Sequence, residues 1–151
     1  MASTRTRSEA RGRSITLECH TATDVDLSGA QASALRDALA NLLTNAIQAA
    51  PASGRITVEA GQTEKELAVE VSDNGAGIRE ELRERVWEPF FTTKQRGTGL
   101  GLAIVRKRME EVGGQAQLAS QRAGGGARFL LRIPLRPSSA AAPETLSHLV
   151  A

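Results

Sequence analysis

Three groups of residues in this chain have the types and spacing to do chemistry together. In the first, Val71-Ser72-Asp73-Asn74-Gly75-Ala76-Gly77-Ile78, a run of strand character stops on a carboxylate and passes into a glycine-rich turn. Glycines there let the backbone take positive φ and let another molecule approach closely. Asp73 at the strand end can accept a hydrogen bond from an amino group such as the exocyclic amine of adenine. Guanine presents an acceptor oxygen at the same edge, so a buried carboxylate would choose adenine. Alone, the stretch also describes an ordinary turn with a solvated aspartate.

The second group is Asn41 and Asn45, four residues apart in a helical pattern and so stacked on one face. Asparagine is unfavourable inside a helix, so two on one face need a reason. Their carbonyl oxygens suit a Mg²⁺ that keeps several waters and takes its remaining ligands from phosphates. A pair of exposed or helix-packing asparagines fits the same spacing. The third group runs from Trp87-Glu88-Pro89-Phe90-Phe91-Thr92-Thr93-Lys94 to Gly97-Thr98-Gly99-Leu100-Gly101-Leu102. An apolar anchor, polar tips and glycine hinges describe a lid. Lys94 can offer a point charge to a phosphate, and glycines opening a helix offer backbone N–H groups to an anion. The run is neither a Walker loop, lacking Gly-Lys-Ser/Thr, nor a dinucleotide fingerprint, because its spacing is Gly-x-Gly-x-Gly after a loop.

The elements that must position these groups can be read from periodicity. Ser14 to His20 alternates as a strand with His20 outward, and with no acidic residue directly after it and no proline soon after, His20 reads as an exposed strand histidine. Gln31 to Ala50 reads as a long helix begun near Ser28 and stopped by Pro51. Its apolar stripe is Leu35, Leu39, Leu42, Leu43, Ala46, Ile47 and Ala50, and its polar stripe Asp37, Asn41, Asn45 and Gln48. Gly54 to Ala60 and Leu67 to Val71 form a hairpin that delivers Asp73. Arg79 to Val86 reads as a short charged helix. Leu100 to Val112 is amphipathic, with Leu102, Val105, Met109 and Val112 inward and Arg106, Arg108, Glu110 and Glu111 outward, ending at Gly113-Gly114. Gln115 to Ser120 and Ala127 to Leu135 make a last strand pair around Gly124 to Gly126.

With 151 residues and 40% hydrophobic content, the chain is one domain's worth, enough to bury about two-thirds of its unfolded surface. Arg5, Arg7, Arg11 and Arg13 crowd the N-terminus, but the net charge is only +2 and no aromatic residue lies near. Residues 1–12 therefore read as a flexible basic lead-in, and no nucleic-acid partner is expected. No apolar run approaches the ~20 residues that cross a bilayer, and no signal core precedes the domain. The one cysteine, Cys19, excludes an internal disulfide and a cysteine metal site. A cytoplasmic domain without membrane contact of its own is expected, although the full-length protein can be membrane-anchored. From Arg136 onward Pro, Ser and Ala read as a flexible tail or linker over 136–151.

In this order the segments resemble the ATP-binding catalytic domain of sensor histidine kinases, in the Bergerat-fold superfamily shared with type II topoisomerases, heat-shock chaperones and mismatch-repair ATPases. Asn41-Leu42-Leu43-Thr44-Asn45-Ala46 is similar to the asparagine box and Asp73-Asn74-Gly75-Ala76-Gly77 to the first glycine box. Glu88-Pro89-Phe90-Phe91 is similar to the phenylalanine box and Gly97-Thr98-Gly99-Leu100-Gly101 to the second glycine box. The Phe-Thr-Thr-Lys lid resembles that of nitrogen-regulation-type kinases. The resemblance covers residues 13–135 and implies an α+β, two-layer sandwich: a mixed, mainly antiparallel sheet covered on one face by about three helices. It further implies ATP and Mg²⁺ as ligands, with Asn45 on the metal and Asn41 assisting, Asp73 reading adenine, and Gly75, Gly77 and Ile78 shaping the base pocket. Thr93, Lys94, Gly97, Thr98, Gly99, Leu100, Gly101 and Leu102 would line the phosphates and lid, which Phe90 and Phe91 would anchor. Ala127 departs from the family, which often has Thr there, so a hydroxyl contact near the base is missing or replaced.

ATP-hydrolysing relatives resemble this helix but place a glutamate at position 41 to activate water, and Asn41 cannot take a proton at neutral pH. Catalysis by Asn41, Asn45 and Lys94 would then consist of positioning and charge stabilisation while the γ-phosphoryl passes to a histidine. Neither His20 nor His148 sits in an acceptor motif, so that histidine is expected on a dimerisation domain outside this chain, with a response regulator downstream. The fragment is expected to be monomeric and not to phosphorylate itself. A serine-directed kinase of the anti-sigma type and a non-catalytic, nucleotide-dependent docking module are the alternatives.

Overall fold

The computed structural model describes residues 2–10, 12–21, 24–95 and 97–136. Six strands make one sheet: β1 (Ala2–Ala10), β2 (Arg13–Thr21), β3 (Ser53–Gln62), β4 (Glu66–Asp73), β5 (Gln115–Leu118) and β6 (Arg128–Pro134), in the spatial order β1-β2-β3-β4-β6-β5. Neighbours run antiparallel except β2 and β3, which are parallel with Ser14 opposite Ser53 and Thr21 opposite Ala60. A parallel pair needs a crossover, and α1 (Gly29–Ala49) supplies it. The second helix, α2 (Gly101–Glu111), crosses from the lid to β5.

Helix α1 begins where its sequence offers a cap. Ser28 Oγ accepts from the Gln31 N–H, and the Gln31 side chain accepts from the Ser28 N–H, at 3.2 and 3.1 Å. A cap of this kind contributes about 1 kcal/mol. It ends where Ala50, ahead of Pro51, is forced into extended backbone. The face it buries is centred on Ala34, Ala38, Leu42 and Ala46, all at most 3% exposed. Alanines spaced by four let α1 lie close to the sheet and to α2, so the larger Leu35, Leu39 and Leu43 flank the seam half-buried. Ile47, expected on the apolar stripe, is 46% exposed, because it falls past the edge of the sheet-facing arc.

The strands alternate as their sequences require. Ile56 and Val58 of β3, Leu67, Val69 and Val71 of β4, and Phe129, Leu131 and Ile133 of β6 face the helices and are buried. The opposite face is polar: Arg128 grips Glu70 bidentately, at 3.0 and 2.8 Å, across the β4–β6 pair. From α2, Val105 and Met109 enter the same core. Arg108, expected outward, instead reaches α1, where its guanidinium meets Asp37 at 2.8 Å and Ser33 at 3.0 Å. This ties the two helices at the polar end of their contact.

Two other expectations change. Among the described residues two α-helices rather than about three cover the sheet, because the charged segment 79–86 forms only two single 3₁₀ turns, at Glu80–Leu82 and Arg85–Trp87. Few apolar positions and no side-chain cap leave nothing to offset the cost of a longer helix there. The first residues, expected as a lead-in, form β1 along β2. Its Arg and Thr side chains carry no apolar alternation; the backbone ladder places it, joined by Ser3 Oγ on His20 Nδ1 at 3.0 Å, Arg7 Nε donating to Ser14 Oγ at 2.9 Å and Arg5 beside Glu18 at 3.5 Å. The expected tail lies, beyond Arg136, outside the described residues. No described helix is long and apolar enough to cross a membrane.

Candidate functional site

The end of β4, the C-terminal half of α1, the start of α2 and the glycine connection into β6 lie close to one another, Gly75 against Ala49, Gly101 against Asn41 and Gly126 against Asp73. Asp73 closes β4, with its N–H donating to the Ala127 carbonyl at 3.0 Å. Its carboxylate oxygen Oδ1 accepts from the Gly75 N–H at 2.8 Å and, more weakly, from the Ala127 N–H at 3.4 Å. No described residue donates to Oδ2, which leaves one anionic acceptor for a ligand. The neighbouring Asn74 is a pin that the sequence did not flag. It takes the Arg55 N–H on Oδ1 at 2.7 Å and donates to the Ser53 carbonyl at 3.3 Å, fastening the turn to β3.

Gly75 lies so near the last turn of α1 that a β-carbon would stand 2.6 Å from the Ala49 carbonyl oxygen. Only glycine permits that approach, and it sets the distance between Asp73 and the helix. Gly77 follows at φ +77°, and Ile78 packs against the core edge.

On α1 the two asparagines converge as their spacing predicts. Asn41 Nδ2 donates to the Asp37 carbonyl at 2.9 Å, which turns Asn41 Oδ1 away from its own helix. That oxygen faces Gly101, the first residue of α2: a β-carbon there would stand 3.3 Å from Asn41 Oδ1 and 3.8 Å from both polar atoms of the Asn45 amide. The Asn45 amide has no hydrogen-bond partner among the described residues. Two amides aimed at one point, one already anchored by its nitrogen, fit a hard cation that shares its shell with water and phosphate. Among the described residues there is no His, Cys, Asp and Glu cluster that could form a cage of its own.

Helix α2 opens at this point without a side-chain cap and without acidic residues in its first turn. Its first N–H groups and positive dipole end therefore face the asparagines uncompensated, a ready anion site. Leu100 and Leu102 are half-buried beside them. Thr98 Oγ1 accepts from the Leu100 N–H at 3.3 Å and shapes the entry.

The lid is held differently from the expectation. Trp87, only 6% exposed, is the buried anchor: its ring meets Phe129 edge-on at 5.8 Å, and the Arg106 guanidinium covers its other side at 4.5 Å. Phe91 is half-buried under the Arg85 guanidinium at 4.5 Å. Phe90 is an anchor by backbone and not by ring. The ring is 76% exposed, while its N–H donates to the Gly99 carbonyl at 2.9 Å. Phe90 takes φ 66°, which a bulky residue adopts only when its surroundings force it. Gly99 presses directly on the Phe90 backbone, leaving no room for a β-carbon. Thr93 and Gly97 are exposed on the outer rim.

Lys94, read as a phosphate ligand, reaches the last turns of α1. Its Nζ donates to Gln48 Oε1 at 2.7 Å, one turn beyond Asn45. Although the residue as a whole is exposed, burial of its ammonium lowers the pKa from the ordinary lysine value, and the nearby Asp73 carboxylate partly restores it. The polar stripe of α1 therefore has three uses: Asp37 holds α2, Asn41 and Asn45 face Gly101, and Gln48 holds the lid lysine.

Comparison with known proteins places these features in a family. Residues 30–137 match the family model described as histidine kinase-, DNA gyrase B-, and HSP90-like ATPase. The signal transduction histidine-protein kinase AtoS of Escherichia coli (strain K12) is 40% identical over 104 residues, 68% of this chain and 17% of AtoS. The nitrogen regulation protein NtrY of Azorhizobium caulinodans is 44% identical over 103 residues, 64% of this chain and 13% of NtrY. The chain thus spans less than a fifth of these relatives. Among solved structures, the nucleotide-free catalytic domain of histidine kinase ThkA superposes with a TM-score of 0.70 at 37% identity, covering 82% of this chain and 80% of that one. The mycobacterial sensor histidine kinase MprB gives 0.69 at 29% identity, covering 82% and 85%.

Proposed function

The chain belongs to the histidine kinase-, DNA gyrase B- and HSP90-like ATPase family, as a nucleotide-binding catalytic domain of the sensor-histidine-kinase type, and from that premise we propose that it binds Mg²⁺-ATP and passes the γ-phosphoryl group to a histidine on a separate dimerisation domain. The observation that carries this reading is the convergence of Asn41, Asn45 and the uncapped start of α2 at Gly101, with the acceptor Asp73 at the far end.

The base enters beside Gly75 and Ile78 and gives its exocyclic amine to Asp73 Oδ2, the carboxylate being held in place through Oδ1 by the Gly75 N–H. The triphosphate runs along α1 toward the open N–H groups of Gly101 and Leu102. Asn45 Oδ1 and Asn41 Oδ1 would hold magnesium, whose charge would shield the phosphates and fix the orientation of the terminal group. Lys94 leaves Gln48 and follows the triphosphate as the lid folds over Gly97 and Gly99.

Asn41 decides what kind of acceptor this site suits. Water or a serine hydroxyl must lose a proton as it attacks, and an amide cannot take that proton. A neutral imidazole already presents a lone pair on one ring nitrogen, so the N–P bond can form as the bond from Pγ to the bridging oxygen breaks and ADP leaves. This supports a histidine acceptor over a serine acceptor. The histidine would be supplied by a dimerisation domain in the same or another chain, within the cytoplasm, and a response regulator would receive the phosphoryl group afterwards.

Mixing the chain with a histidine-containing dimerisation fragment, ATP and Mg²⁺ tests this directly. Acid-labile, alkali-stable phosphate on the fragment is the expected result. Acid-stable phosphate on serine would favour the serine-directed reading. Absence of transfer while ATP still binds would favour a docking module.

A further inference from the structure

Helices α1 and α2 meet through two polar contacts that share one face of each helix. On α1 that face carries Ser33, Asp37, Asn41 and Asn45, each about one turn past the last. On α2 it carries Gly101 and Arg108, about two turns apart. Gly101 opposes Asn41 and Asn45, while the Arg108 guanidinium reaches Asp37 Oδ2 at 2.8 Å and Ser33 Oγ at 3.0 Å. The helices therefore run antiparallel, with the asparagines at one end of the contact and an ion pair at the other. Glu111 holds the second terminal guanidinium nitrogen at 2.6 Å, and Nε is buried without a hydrogen-bond partner among the described residues. Asp37 is engaged twice. Its carboxylate takes Arg108, and its main-chain carbonyl takes the Asn41 Nδ2–H that orients the Asn41 amide. Gly101 has no side chain, so nothing on α2 at that end bonds to the asparagines and fixes the gap.

We propose that Arg108 is a positioning residue for the phosphate end of the site: by holding Asp37 it sets the gap between the two asparagines and the first N–H groups of α2. The inference rests on Asn41 and Asn45 facing the metal. With Asp37 48% exposed, the ion pair adds little to stability, and its consequence is geometric. A metal on the asparagines and phosphates on α2 would share ligands, so a slip of one helix against the other disturbs both at once. Asp73 belongs to β4, outside the α1–α2 contact, and base reading is left as it was.

Calorimetric titration with adenosine, with ATP in EDTA and with ATP in Mg²⁺ tests this on wild type, Arg108→Met, Asp37→Ala, the double variant and Arg108→Lys. Arg108→Met keeps the aliphatic stem and removes the guanidinium. An ion pair of this exposure limits the effect to about two- to fivefold in dissociation constant. That weakening toward Mg²⁺-ATP is expected in each of Arg108→Met and Asp37→Ala, with no further loss in the double variant. Arg108→Lys should lose less, and adenosine should bind all five proteins alike. Adenosine weakened as much as Mg²⁺-ATP would make the pair a general prop for the fold and overturn the proposal, as would additive losses or an unchanged Mg²⁺-ATP constant. If wild type binds ATP equally with and without Mg²⁺, the metal reading of the asparagines fails, while the ratio of ATP to adenosine affinity in EDTA still decides whether Arg108 sets the phosphate end.

Discussion

Replacing Asp73 by Asn changes one atom at the proposed base-reading position and should invert its preference. In the folded chain Oδ1 already accepts from the Gly75 N–H at 2.8 Å and the Ala127 N–H at 3.4 Å. An asparagine can keep its oxygen there, so the turn and the fold should survive with a stability change of about 0.5 kcal/mol or less. What changes is the second position, where an NH₂ replaces Oδ2 and faces the exocyclic amine of adenine, donor against donor. Losing a hydrogen bond to a charged acceptor costs about 1.5–3 kcal/mol, or roughly 10- to 150-fold in dissociation constant. Inosine triphosphate presents an oxygen where ATP has the amine, and the new NH₂ can donate to it. Isothermal titration of both nucleotides against wild type and Asp73→Asn, with thermal melting to confirm the fold, should show ATP weakened and the ATP-to-inosine preference reduced about tenfold or more. Equal weakening toward both nucleotides, or an unchanged ATP constant, would refute the assignment.

The remaining predictions concern the metal, the lid and the core. Asn45→Ala should abolish the difference in ATP affinity measured with and without Mg²⁺ while leaving adenosine binding unchanged; surviving metal sensitivity would show that the amides are not the metal ligands. Lys94→Met should move two ligands in opposite directions. Adenosine should bind about two- to fivefold more tightly, because an ammonium no longer competes near Asp73. ATP should bind about tenfold more weakly, because a charged phosphate contact is lost. Parallel shifts would contradict a lysine that moves between the two ends of the site. Leu42→Ala, at a position 1% exposed between α1, α2 and the sheet, should lower unfolding free energy in urea by about 2–5 kcal/mol. A loss under 1 kcal/mol would mean that the alanine seam, and not Leu42, carries the packing.

Much of this was legible because local rules and tertiary demands agree. The i, i+4 spacing of Asn41 and Asn45 alone predicts two amides on one face, and both converge on Gly101. The alternation Leu67, Val69, Val71 places Asp73 at the end of a strand buried on one side. The residues that escaped depend on contacts distant in sequence. Lys94 reaches Gln48 only because the Phe90 backbone, held against Gly99, aims the lid inward. Strand β1 had a faint signal, Gly12 between a stretch of Thr and Arg alternation and the Ile15, Leu17 and Cys19 alternation of β2, but its polar face resembles a solvated arm. For Arg108 the outward reading failed because its partner Asp37 lies on another helix.

The most direct test is a crystal structure of the chain with a non-hydrolysable ATP analogue and Mn²⁺, with the metal located by its anomalous signal. The adenine amine is expected within hydrogen-bond distance of Asp73 Oδ2 and the metal on Asn45 Oδ1, with the phosphates at the first N–H groups of α2. A base turned away from Asp73, or a metal without an asparagine ligand, would contradict this arrangement.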